Sequence, residues 1–377
     1  SSDMPIRKAM ADKYNIDLGF GVLFSMSREF KDLKNNSYAI QRQNPWGGKV
    51  DPWMKITPER AKWIEETAYT MVKRFPYLKA WAPMGETECR WKDYTNGDFT
   101  EWWKMAVAFY KGAKRANPNI KLMPCQGTSG FLPEMNRGVV EVTGVMQSVK
   151  KDNIKWDYIS THPYFSTDSV NGRSDLDKNT AFLIDLMKKN GYGDTPIIYP
   201  EGGNFTSMLI PEWNCNGCQD FYRAGHAGYD SSWGEYRQAY LHARRFIITF
   251  KYWPRVQYLD MWTSNPFLDY YLSPLLMCKM INTLGQVMAD PKYVADIKPL
   301  KSIRGYAFTD HKNRGLVAIW ATVDGVDNGT ERGPQMLVKF KGKLPEFIDL
   351  MGNKREVKAE NGAVKIQLTS APLFIRS

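Results

Sequence analysis

Cysteine and histidine are both scarce in this chain: five and four respectively among 377 residues. Five cysteines are too few to staple a chain of this length, so a disulfide scaffold is excluded as the basis of its fold. Cys215 and Cys218 form one CxxC within Trp213-Asn214-Cys215-Asn216-Gly217-Cys218. A zinc site normally takes four ligands and there is no second CxxC, so a local disulfide and a pair of free thiols stand beside zinc as readings. The disulfide would suit an exported protein. No apolar run reaches the roughly 18 residues that a membrane-spanning helix needs. The opening, Ser1-Ser2-Asp3-Met4-Pro5, carries no signal-peptide pattern. Internal repeats and low-complexity segments are also missing.

What the chain does have is positive charge and aromatic rings. Lys and Arg number 51 against 40 Asp and Glu, a net charge of +11, and the pI is near 9.2. Such a balance attracts anions, whether nucleic acid, acidic membranes or acidic polymers. The basic residues are scattered, with no basic arm and no nucleic-acid motif. A solvated basic surface and a sulfated or uronic-acid polysaccharide partner are therefore preferred to nucleic acid. Aromatic residues make up 14% of the chain. Most belong to the core, and those near strand ends would suit the flat C–H faces of sugar rings.

Along most of the chain, short apolar runs alternate with helical periodicity, which predicts a parallel α/β fold. Helices are expected at about Met4 to Tyr14, from Thr57-Pro58-Glu59 to Pro76, from Thr100-Glu101 to Asn117-Pro118, and over Met135 to Lys150. Others are expected over Leu176 to Asn190, Gly234 to Lys251 and Leu275 to Met288. Thr57-Pro58-Glu59 is a good start: Thr caps, Pro suits the first turn and Glu favours the positive end of the dipole. Strands are expected at Ile16 to Ser25, Leu78 to Met84, Lys121 to Cys125, Asp157 to Thr161, Pro196 to Tyr199 and Val256 to Trp262. From about residue 299 the period changes to short alternating strands, Ile303 to Thr309, Gly315 to Val323, Gln335 to Lys341, Phe347 to Leu350 and Ala363 to Leu368. Turn signals at Met351-Gly352-Asn353 and Glu360-Asn361-Gly362 separate them. The reading is a (β/α)8 TIM barrel over 1–298 followed by an antiparallel β-sandwich over 299–377. Six barrel strands are legible rather than eight. The expectation is that two βα units precede residue 1, supplied by an upstream fragment of the same protein.

Two glutamates stand where barrel chemistry belongs, at the C-terminal ends of strands. Glu86 closes Leu78-Lys79-Ala80-Trp81-Ala82-Pro83-Met84-Gly85-Glu86, and Glu201 follows Pro196-Ile197-Ile198-Tyr199-Pro200. Glycosidic bond hydrolysis needs such a pair, one carboxyl to protonate the leaving oxygen and a second to attack the anomeric carbon or activate water. A nearby ionised Glu201 would raise the pKa of Glu86, keeping a proton available there. Glu88 is a rival acid. Asn204-Phe205-Thr206 is formally a glycosylation acceptor, but its place beside Glu201 argues against its use.

These motifs, in this order, resemble the clan A glycoside hydrolases, families 39, 30 and 51 in particular. Trp81 to Glu86 fits the spacing of the clan's Trp-x-x-x-Asn-Glu at strand four. Asp157-Tyr158-Ile159-Ser160-Thr161-His162-Pro163-Tyr164 resembles strand six, Pro196 to Glu201 strand seven and Val256 to Trp262 strand eight. Asp349 to Asn353 through Ala371-Pro372-Leu373 resembles the β-sandwich that accompanies many such barrels. The resemblance implies a retaining double displacement on an oligo- or polysaccharide, with Glu86 as acid/base and Glu201 as nucleophile, and with no metal or organic cofactor. His162 would bind sugar hydroxyls or steady Glu86, Tyr164 would hydrogen-bond Glu201, and Trp262 would floor a sugar subsite. Trp91, Asn204, His226 and Asn265 are candidates for the cleft wall; Arg90 and Lys92 could meet an acidic substituent, though a solvated surface is the preferred reading for both.

One departure from the pattern is Gly85, where the clan has the Asn that binds the sugar 2-hydroxyl. It implies either a substrate modified at that position or another residue in the role. It also supports the alternative of a non-catalytic carbohydrate-binding or structural protein on a degenerate barrel. No membrane and no nucleic-acid partner is expected, and the expected location is extracellular or periplasmic.

Overall fold

A computed structural model describes residues 4–14, 20–24, 56–84, 100–124, 143, 146, 152–161, 175–199, 231–259, 274–297, 302–322 and 333–377. The chain divides into two compact units, one of residues 1–162 and 181–200, the other of 163–180 and 201–377. The architecture alternates α and β over its first part, like part of a TIM barrel, and ends in a separate region of antiparallel sheets.

The first unit opens with α1 (Met4–Tyr14), β1 (Phe20–Phe24), α2 (Pro58–Arg74), β2 (Ala80–Met84), α3 (Thr100–Ala116), β3 (Lys121–Leu122) and β4 (Ile159–Ser160). Helix α4 (Leu176–Lys189) begins in the second unit and ends in the first, leading into β5 (Ile197–Tyr199). The Thr57 side chain accepts from Arg60 N, as the capping signal predicts. Strand β2 pairs in parallel with β1 on one side and β3 on the other, and β4 pairs in parallel with β5. The two sets join where Asp157 N and Tyr158 N donate to Leu122 O.

Strand β4 is shorter than predicted because Asp157 spends its side chain on the neighbouring strand. Its carboxylate accepts from Leu122 N at 2.9 Å and from Lys121 Nζ at 3.1 Å. A side chain thus stands where a ladder partner would be, and regular pairing begins only at Ile159.

Helices α2 and α3 pack against each other, α2 through Ile64, Ala68 and Val72, α3 through Trp102, Ala106, Phe109 and Ala113 among others. Gly112 sets how close they come. A Cβ there would lie 2.0 Å from the Glu65 carbonyl oxygen, a backbone atom that cannot yield without moving α2.

The second unit holds α5 (Ser231–Lys251), β6 (Val256–Leu259), α6 (Leu276–Val287) and the antiparallel strands. These are β7 (Lys292–Ile297), β8 (Ile303–Thr309), β9 (Gly315–Ala321), β10 (Gln335–Lys339), β11 (Glu346–Ile348), β12 (Ala359–Glu360), β13 (Ala363–Gln367) and β14 (Leu373–Arg376). One sheet has the order β11-β14-β9-β8-β7 and the other β10-β13-β12. Val364 and Ile366 of the small sheet share a core with Ile303, Ile319, Phe347 and Ile375 of the large one. The predicted turn at Asn361-Gly362 has φ of 49° and 70°, the left-handed pair that a two-residue hairpin requires. Strands β7, β12 and β14 are additions to the predicted set, and β7 is an edge strand of the larger sheet. The first four residues of β7 are exposed, so the sequence carries no alternation to announce it.

Two polar constructions fix this unit. Arg244, buried on α5, donates through Nε to Ser370 O at 2.8 Å and stacks on Tyr240 and Trp320, 4.8 and 5.7 Å from their ring centres. An acid–base cluster joins the start of α4 to β8. Arg304 takes Asp175 in a bidentate pair at 2.6 and 3.0 Å, and Tyr306 Oη and Lys251 Nζ reach Asp177 at 2.9 and 3.0 Å.

The close approach at Gly112 yields a paired expectation. Gly112→Ala should lower stability by ~1–3 kcal/mol as an overpacked contact. Gly285→Ala, on an exposed stretch of α6 with nothing within 4 Å of the new methyl, should be neutral or raise it by up to ~1 kcal/mol. Thermal unfolding of the two variants checks both signs.

Candidate active site

Parallel pairing has one geometric consequence: β1, β2 and β3 end on one edge of their sheet, and β4 and β5 end together on one edge of theirs. Such edges are where α/β folds of this kind build their sites. The residues along them change character. In β4, buried Ile159 gives way to Ser160 and Thr161, whose side chains are polar yet buried, at 4% and 0% exposure. Thr161 N donates to Ile198 O at 3.1 Å, extending the β4–β5 pairing to its last described residue. In β5, Ile197, Ile198 and Tyr199 are all buried, as expected of a parallel strand covered on both faces.

Strand β2 is two-sided. Ala80 and Ala82 pack with Met123 and Tyr158 in a small apolar cluster. Trp81, 1% exposed, lies 6.4 Å centre-to-centre from Phe75 and covers Gly21 of β1, its register partner. A Cβ on Gly21 would meet the Trp81 ring at 2.5 Å. Glycine at 21 is therefore what lets the indole lie flat across β1.

The sequence-predicted site residues continue from these strands. Glu86 comes two residues after β2, His162 directly after Thr161, Glu201 two residues after β5 and Trp262 three after β6. Glu86, Glu201, His162, Tyr164, Trp262, Trp91, Asn204, His226 and Asn265 all lie outside the described residues. So do Gly85, Glu88, Arg90, Lys92 and the Cys215–Cys218 pair. The structure thus describes the strands that precede these residues in the chain. Sequence reasoning singled out neither Ser160 and Thr161 as buried hydroxyls nor Asp157 as the strand's anchor. The signal for the first two was present: polar residues closing an apolar strand.

Among the described residues, no group of three or more His, Cys, Asp or Glu side chains is placed to hold a metal ion, and no helix is long and apolar enough to cross a membrane.

The architecture is one shared with glycoside hydrolases. A family 39 glycoside hydrolase from the gut symbiont Bacteroides cellulosilyticus WH2 aligns with 100% of this chain and 71% of its own, with a TM-score of 0.68 and 15% identity. Cel44A, a family 44 endoglucanase from Clostridium thermocellum, aligns with 99% of this chain and 83% of its own, at a TM-score of 0.52 and 9% identity. N2152 from Neocallimastix frontalis aligns with 84% and 75%, at 0.50 and 14%. No protein-family model matches the sequence, and no curated protein is significantly similar to it. At these identities the likeness is one of fold.

Gly21→Ala tests how firmly β2 is held. The new methyl should displace the Trp81 ring or part β1 from β2, with a loss of ~1–3 kcal/mol. Denaturant unfolding together with the near-ultraviolet circular dichroism of tryptophan would report both. An unchanged midpoint and spectrum would mean that Trp81 has room to move.

Proposed function

We propose that this protein is a retaining glycoside hydrolase acting on an oligo- or polysaccharide by double displacement, with Glu201 as nucleophile and Glu86 as acid/base. On this reading residues 1–298 contribute six strands to a (β/α)8 barrel carrying the reaction, 299–377 form an accessory β-sandwich, and the protein works outside the cytoplasm. The observation that carries the reading is the parallel pairing of β2 with β1 and β3 and of β5 with β4, β2 and β5 each ending two residues before a glutamate. The glycoside-hydrolase fold agrees with it.

The chemistry follows from two carboxyl groups with different protonation. Glu201, ionised, attacks the anomeric carbon as Glu86 gives its proton to the departing glycosidic oxygen. The covalent glycosyl ester then breaks when Glu86, now a carboxylate, takes a proton from water that attacks the same carbon. Mutual repulsion keeps the pair from ionising together, which holds the proton on Glu86 in the resting enzyme. Adjacent strands lie ~4.8 Å apart, so in a barrel that runs in chain order β2 and β5, three steps apart, would be separated by ~14 Å along the wall. Only curvature that turns the two ends toward each other brings their carboxyls to the ~5 to 5.5 Å of a retaining pair. His162, Tyr164 and Trp262 complete the proposal as hydroxyl ligand, nucleophile partner and sugar platform, with Trp91, Asn204, His226 and Asn265 on the walls.

The net charge of +11 favours an anionic glycan. Gly85 supports one second reading, a carbohydrate-binding protein that no longer cleaves. Incubation with a panel of neutral, uronic and sulfated polysaccharides separates the two. The protein should release reducing ends from at least one, and Glu201→Gln should lower that rate about a thousandfold or more. Undiminished cleavage by Glu201→Gln would refute the nucleophile assignment, and binding without cleavage would favour the second reading.

A further inference from the structure

The acid–base cluster of the second unit has an unusual division of labour. Asp175 and Asp177 come from the start of α4, Lys251 and Tyr252 from the end of α5, Tyr293 and Asp296 from β7, and Arg304 and Tyr306 from β8. No carboxylate in it serves a single neighbour. The Asp175 side chain, 2% exposed, takes both guanidinium arms of Arg304. It also caps its own helix by accepting from Lys178 N at 2.9 Å. Asp177 accepts from Lys251, from Arg304 at 3.4 Å, and from the hydroxyls of Tyr306 and Tyr252. Asp296 takes Lys251 Nζ at 3.0 Å and Tyr293 Oη at 2.8 Å. Three carboxylates share two cations, and phenol hydroxyls supply the remaining donors.

We infer that this cluster is a conformational clamp, through which the start of α4, the end of α5, β7 and β8 open together or not at all. The reason is the cost of separating any one member. If β8 moves away, Asp175 remains as a buried charge with no counter-ion. If α5 frays at Lys251, Asp177 and Asp296 both lose their ammonium, and Asp177 loses the Tyr252 hydroxyl as well. Uncompensated buried charge is among the most expensive defects a fold can carry, and a shared network makes each bond conditional on the others. Burial alone would push the Asp177 carboxyl up, but the Tyr252 hydroxyl and the Lys251 ammonium outweigh it and hold the group below its ordinary value. Asp177 is thus ionised when the cluster is closed. The antiparallel strands are on this account a working part of the unit that holds α5, rather than a module that opens by itself. The inference does not depend on the hydrolase reading.

Hydrogen exchange of the full chain, read by mass spectrometry at graded denaturant, tests the clamp without any substitution. Peptides covering 176–180, 247–252, 293–297 and 303–307 should share one opening reaction, with a common protection and denaturant dependence. Arg304→Gln should then speed exchange in all four, about a hundredfold or more, and Arg304→Lys by less. Distinct openings in the native chain, with α4 exchanging apart from β8, would overturn the clamp. So would an effect of Arg304→Gln confined to 303–307.

Discussion

Parallel pairing in chain order is the constraint from which the site follows. A parallel strand cannot be reached by a tight turn, so each must be followed by a crossing helix that covers the sheet. The sequence meets this requirement by alternating apolar strands with helices such as α2 and α3. Once the strands of a sheet run one way, their C-terminal ends share an edge, and whatever follows each strand is delivered there. Chemistry can then be assembled from residues far apart in sequence. Glu86 and Glu201 are such a pair on the reading proposed here, and the strands leading to them are held by particular contacts. Trp81 can lie across β1 only because Gly21 has no side chain, and Asp157 ties the approach to β4 onto β3.

The second unit solves a different problem. Its strands β7 to β14 pair antiparallel and close over a shared apolar core, which needs no polar help. The helices beside them are fastened by charge. Arg244 reaches the backbone of Ser370 from the middle of α5, and the Asp175–Arg304 cluster fixes the end of α5 and the start of α4. Buried ionic contacts of this kind add little net stability over apolar packing, yet breaking one partner is costly. Their effect is to make one arrangement much better than its neighbours.

How much of this was legible in the sequence depended on range. Local signals read well. Thr57-Pro58-Glu59 marked the start of α2, and Asn361-Gly362 marked a hairpin because few other pairs tolerate two positive φ angles. Strand ends read less well, since Asp157 replaces a ladder bond with a side chain and nothing in its neighbours announces that. Strands β7 and β12 escaped because an exposed edge strand need not alternate, and β14 because its first three residues are all buried and so show no alternation either. Contacts across the fold were illegible: Asp175 and Arg304 are 129 residues apart, and Gly112 meets a backbone oxygen of another helix. For the candidate site, the two glutamates stood out because each closes an apolar strand, a pattern that chain-local reasoning can detect. The distance between them is a property of sheet curvature, which no local pattern encodes.

That distance is the most direct measurement. A crystal structure of the protein resolving Glu86 and Glu201 would give the separation of their carboxyl groups. Double displacement by this pair requires about 5 to 5.5 Å, the spacing of a retaining pair. A value of about 6.5 to 9.5 Å would contradict double displacement and point to inversion. Carboxyl groups much farther apart, or facing away from a common cleft, would contradict the pairing itself.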